Sequence, residues 1–231
     1  MIDYEIHESF LKKYATDLSL FYVYKNHVNN LVTEASVKIK NNNRKYNRYL
    51  VIILSEEINR NKIYNFVDEL FEKQIFDSTH ISRVYSFIDK YYSDTIDFGI
   101  GIDDGAYKLY YDLDGEMICL YLNKEDFCYK SYKKVNYIFP QSISLLNEYG
   151  LNLSHLPVRK VFKVSKLSNS IDNFEYIDKY QYGFWVPLRN NLFDHKIYWI
   201  STYQNEATFY LKPGCYDVIN ENPFTIKLSK F

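Results

Sequence analysis

Residues 95–122, TIDFGIGIDDGAYKLYYDLDGEMICLYL, leave little freedom for the centre of this chain. Ile96, Phe98, Ile100 and Ile102 alternate with Asp97, Gly99, Gly101 and Asp103, and a period of two marks a strand with one buried face. Asp104-Gly105 and Asp114-Gly115 follow at hairpin spacing, and both residue types tolerate the positive φ of a tight primed turn. The pattern predicts three antiparallel strands near 95–103, 106–112 and 116–122. A two-residue loop at Asp104-Gly105 would set Gly101 opposite Lys108, Gly99 opposite Tyr110 and Asp97 opposite Asp112. Lys108 and Tyr110 then share the glycine face, while Tyr107, Leu109 and Tyr111 join Phe98 and Ile100 on the other. Four of the seven glycines lie here, and a strand glycine marks close approach of a ligand or another backbone. The Lys–Tyr face reads either as a ligand lining or as a solvated outer face with bulges.

The flanks extend the pattern. Ile6, Phe10, Tyr14, Leu18 and Tyr22 recur every four residues and predict a helix over 5–24, with a second over 28–39 ended by Asn41-Asn42-Asn43. Tyr49–Leu54 is a continuous apolar run of strand length. Ser55 is placed to cap a helix carrying Glu56 and Glu57 in its first turn, with Ile63, Phe66, Val67, Leu70 and Phe71 as its stripe. Asp77 or Ser78 caps another, with Ile81, Val84, Tyr85 and Ile88 inward. Residues 141–150 read as a short helix. Strands are expected at 158–165, 182–188, 196–202, 207–211 and 224–228. No linker divides the chain, so the expectation is a single α+β domain over 1–231. It would have a helix-rich N-terminal part and a largely antiparallel sheet.

Composition narrows the function classes. With a net charge of −1 over 231 residues, a dominant nucleic-acid footprint is disfavoured. No apolar run approaches the roughly 18–20 residues of a membrane span, and MIDYEIHESF lacks a signal layout. Cys119, Cys128 and Cys215 have no metal-like spacing and read as reduced thiols, which places the chain in the cytoplasm. The 25 tyrosines beside 16 phenylalanines stand out, although an AT-rich genome, viral or bacterial, would also encode them.

The meander has an echo downstream. Phe98-Gly99-Ile100, Lys108-Leu109-Tyr110, Glu116 and Leu120-Tyr121-Leu122 are followed by Tyr182-Gly183-Phe184, Lys196-Ile197-Tyr198, Glu206 and Phe209-Tyr210-Leu211. Lys160-Val161-Phe162 is a third Lys-x-aromatic triplet. Positions i and i+2 share a strand face, so each triplet sets an ammonium beside a ring. Such strands, with Phe-Gly-type strands before them and helical pairs between, resemble the repeats of ABBA-type aromatic prenyltransferases over roughly residues 48–211. The resemblance implies an antiparallel sheet closed into a barrel ringed by helices. It implies Lys108, Lys160 and Lys196 on an isoprenoid diphosphate, and Tyr110, Tyr198, Phe162 and Tyr210 shielding an allylic cation. Asp97 or Asp112 would be the general base toward an aromatic or peptide acceptor. Whether Mg²⁺ accompanies the diphosphate stays open.

The remaining constellations are less specific. Asp112-Leu113-Asp114 is a DxD string of the kind that holds a metal diphosphate, but beside Gly115 it reads as turn chemistry. His7, His27, His80, His155 and His195 have no metal-binding spacing. The basic segment 41–48 reads as an exposed loop. Two functional readings follow. One is a small-molecule transferase with a Tyr/Lys-lined cavity and no resident metal; the other is a non-catalytic interaction or structural protein, of viral type, whose tyrosines pack on partners.

Overall fold

A computed structural model describes residues 23, 27, 32–40, 44–53, 59–103, 106–124, 126–136, 158–186, 197–204 and 206–211. Ten antiparallel strands carry the fold: β1 (Val32–Lys40), β2 (Arg44–Ile53), β3 (Phe98–Asp103), β4 (Ala106–Leu113), β5 (Glu116–Asn123), β6 (Asp126–Lys134), β7 (Val158–Ser165), β8 (Tyr176–Trp185), β9 (Ile197–Tyr203) and β10 (Glu206–Leu211). Each pairs with its neighbour in sequence, and β1 also pairs with β10, so the sheet closes on itself. Between β2 and β3 lie α1 (Arg60–Glu72), a 3₁₀ turn (Ser78–His80) and α2 (Ile81–Tyr91).

The sheet-rich α+β class holds, and only part of the expected helix-rich front falls on described residues. Two helices and one 3₁₀ turn are the helical elements among the described residues, besides helical Val23 and His27, and they form no ring. Where a helix was expected over 28–39, the chain builds β1. Ala35, Val37 and Ile39 alternate there with Glu34, Ser36 and Lys38, and that period of two is used by pairing with β2 and β10. The basic stretch 44–48, read as a loop, belongs to β2. β6 has no turn signal ahead of it, because its turn from β5 lacks glycine and Lys124 takes a φ of 46° instead. The expected helix over 5–24, apart from helical Val23, the helix at 141–150 and the strand at 224–228 lie outside the described residues.

The meander follows its pattern closely. Gly101 pairs with Lys108, Gly99 with Tyr110 and Asp103 with Ala106; β4 then pairs with β5 through Lys108–Tyr121 and Tyr110–Cys119. Gly115 has a φ of 90°, as the second Asp-Gly turn requires. β7 spans the expected residues, whereas β8 starts six residues early, where exposed Asp178 and Lys179 hide the alternation.

The main core lies outside the sheet, between β3–β6 and the two helices. α1 contributes Ile63, Phe66, Val67 and Leu70, fully buried at helical spacing, and α2 contributes Val84, Phe87 and Ile88. Phe87 stacks against Tyr129 of β6 at 6.3 Å and meets Tyr111 of β4 at 5.7 Å; Phe76 meets Tyr107 edge-on at 5.1 Å. Burying side chains of this size contributes about 1.5–3 kcal/mol each. Asn59, not Ser55, caps α1: its side chain accepts from the Lys62 amide at 2.8 Å, four residues before the apolar stripe opens at Ile63. Asp77 accepts from the Thr79 amide at 2.9 Å and turns the chain into α2. No helix among the described residues is long and apolar enough to cross a membrane.

Candidate functional site

The outer strand faces are taken by the core, so the alternate residues turn into the lumen of the sheet. They line a cavity of about 1530 Å³. Seven cationic side chains (Lys38, Lys108, Lys130, Arg159, Lys160, Lys166, Lys179) meet four acidic ones there (Asp103, Asp112, Asp126, Glu206). The lumen is therefore basic in a chain whose net charge is −1. Rings from seven strands complete its wall: Tyr110 on β4, Tyr121 on β5, Tyr132 on β6, Phe162 on β7, Trp185 on β8, Trp199 and Tyr203 on β9, and Tyr210 on β10.

Two lysines are set between rings. Lys108, 4% exposed, has its Nζ 5.1 Å from the centre of the Tyr110 ring and 5.8 Å from that of Tyr121, its cross-strand partner. Lys130 lies 5.2 Å from the Tyr132 ring and 4.8 Å from that of Tyr203. Tyr203 belongs to β9, and β7 and β8 stand between β9 and β6 in the strand order, so this second contact crosses the lumen. Contacts of an ammonium with a ring face are worth about 0.5–2 kcal/mol, most where water is excluded. Lys38 pairs with Glu206 at 2.9 Å.

Electrostatics follow from that crowding. Burial first, and then the charge of Lys38, hold the Lys130 ammonium below the ordinary lysine range; Lys108 adds in the same direction, while Cys119 and Glu206 oppose it. Asp112 is exposed on the lumen wall, although protein surrounds much of its carboxyl. Burial raises its carboxyl above the usual carboxylate range, Asp97 reinforces the shift, and Lys160 is the chief opposing charge. Burial likewise pushes the Tyr121 hydroxyl well above the phenol range, so it stays neutral.

Glycine has a definite use on this wall. The Tyr110 ring lies flat over Gly99, and the Trp199 ring lies over Gly183. The close approach that strand glycines signalled is made by a neighbouring strand's aromatic ring. The echo between the two halves thus has a physical counterpart, with Trp199 as the ring on β9.

Of the residues singled out from sequence, Lys108, Tyr110, Asp112, Lys160, Phe162 and Tyr210 all line this cavity. Asp97 precedes β3 and is not on the lining, although it acts electrostatically on Asp112. Lys196 and the side chain of Tyr198 lie outside the described residues. Asp112-Leu113-Asp114 is split, with Asp112 on the lumen wall and Asp114 in the turn. No group of three metal-binding side chains occurs among the described residues. Sequence reading missed Lys38, Tyr121, Lys130, Tyr132, Trp199 and Tyr203. A signal existed for two of them: Lys130-Ser131-Tyr132 is another Lys-x-aromatic triplet.

Comparison of the chain with protein-family models, with curated proteins and with solved structures returns no match.

Proposed function

We propose that the lumen binds an allylic isoprenoid diphosphate and passes its prenyl group to an aromatic or peptide acceptor. One observation carries this reading: Lys108 and Lys130, each beside two tyrosine rings, face the same cavity of about 1530 Å³. Ammonium groups oppose the charge that builds on a leaving diphosphate. Ring faces favour the allylic cation and keep water from it. Asp112 takes the acceptor's proton in this reading, its raised pKa making it the stronger base once ionised. The thiols of Cys119 and Cys128, which form no disulfide, go with a reducing, cytoplasmic setting.

A non-catalytic interaction protein is the second reading, and the exposed hydrophobic side chains Leu167 and Trp185 speak for it. They lie at opposite ends of β8, one beside the Ser165–Tyr176 pair and one at residue 185, so they make no continuous patch. The lumen is therefore the stronger feature.

The test is thermal unfolding at low salt with geranyl diphosphate, inorganic pyrophosphate or nucleotides, each with and without Mg²⁺. A ligand at a hundred times its dissociation constant adds about 2.7 kcal/mol. Stabilisation by the isoprenoid diphosphate, lost in Lys108→Met/Lys130→Met, followed by pyrophosphate release with an aromatic acceptor, supports the proposal. No shift with any of them sinks it and favours a protein partner.

A further inference from the structure

Three of the six lysine amines on the lumen wall stand in different situations. Lys38 is engaged by Glu206, and Lys108 is 4% exposed between two rings. Lys130 is partly exposed, and that exposure is to the lumen, between Tyr132 and Tyr203. An amine there meets any small molecule that enters. Two ring faces can hold a flat ligand against it, and Lys38, Lys160 and Arg159 on the same wall can hold an anionic group.

We infer that Lys130 is a carbonyl-capturing nucleophile, forming an imine with an aromatic or conjugated aldehyde that carries a phosphate or carboxylate. The neutral amine adds to the carbonyl carbon: a C–N bond forms and the C=O π pair moves to oxygen. The carbinolamine then loses that oxygen as water, taking both amine protons, and leaves a C=N bond with no change in oxidation state. A lysine is activated for this step by burial and by a second cation nearby. Both are present: the charged groups acting on Lys130 are Lys38 and Lys108, which favour the neutral amine, and Glu206 and Cys119, which oppose it. The assignment does not depend on the diphosphate reading, since it asks only that an anionic carbonyl compound reach the lumen.

The experiment uses the full chain with pyridoxal 5′-phosphate, or with 4-carboxybenzaldehyde in a parallel arm, followed by borohydride reduction, intact mass and peptide mapping. The expected result is one reduced adduct per chain, on Lys130, absent in Lys130→Arg. Its formation should rise with pH through a midpoint below the ordinary lysine range. Label spread over exposed lysines with Lys130 unmodified, or one adduct on Lys38 or Lys108, would overturn the assignment. The wild-type peptide map decides between these outcomes even if Lys130→Arg fails to fold.

Discussion

Replacing Gly99 by alanine tests how the lumen wall is built. Alanine normally improves a strand interior by about 0.5–1 kcal/mol over glycine, since it loses less backbone freedom on folding. At Gly99 the sign should reverse. The new Cβ would stand 2.7 Å from Tyr110 Cδ1, with the outer ring carbons nearer still. No neighbour tolerates that, so the ring must leave. It faces the open lumen and can swing there, at about 0.5–1.5 kcal/mol for an off-rotamer side chain plus its lost contacts. Overpacking of this kind costs about 1–3 kcal/mol, and the lumen's room argues for the low end. The net expectation is a loss of about 1 kcal/mol, or roughly 2–4 °C in Tm. In a Tyr110→Ala background the obstacle is gone, and the same substitution should stabilise by about 0.5–1 kcal/mol. The cycle, measured by urea unfolding, should show a coupling of about 1.5–2 kcal/mol. Equal destabilisation in both backgrounds would refute the reasoning, for the ring would then not be what makes Gly99 necessary.

Other expectations can be checked in the same unfolding assays. Phe87→Ala should cost about 3–5 kcal/mol, because a fully buried ring touching both Tyr111 and Tyr129 leaves a cavity where α2 meets the sheet. Tyr111→Phe should be neutral or gain about 1 kcal/mol, since the buried Tyr111 hydroxyl has no hydrogen-bond partner among the described residues. Glu116→Ala should lose about 1.5–3 kcal/mol by removing the charged acceptor of the hydroxyls of buried Ser131 and of Tyr176, which keep their 2.9 Å bond to each other. Asp112→Asn should raise stability at neutral pH. A carboxyl whose folded pKa is raised contributes its stability below the unfolded value of 3.8 and loses it as pH rises through the folded one. The gain should therefore fade on acidification; a gain that grew toward low pH would contradict the direction assigned to Asp112.

Local chemistry settled much of this fold before any tertiary contact was known. Period-two alternation and Asp-Gly turns determined the register from β3 to β5, and with it the placing of Lys108 and Tyr110 on one face with Gly99. Helical spacing located the buried faces of α1 and α2, except that Ile81, expected inward at the start of α2, is exposed. β1 and β6 were hidden, one because its alternation is short and mixed with charge, the other because Lys124 makes a left-handed turn that glycine usually announces. What the tertiary structure alone decided is which faces meet. The pairing of β1 with β10 joins residues about 170 positions apart, and the contact of Lys130 with Tyr203 spans a lumen that no stretch of sequence contains. A strand pattern says that two faces differ; only closure of the sheet determines that the polar face looks inward, where burial and crowding change the chemistry of its lysines and of Asp112.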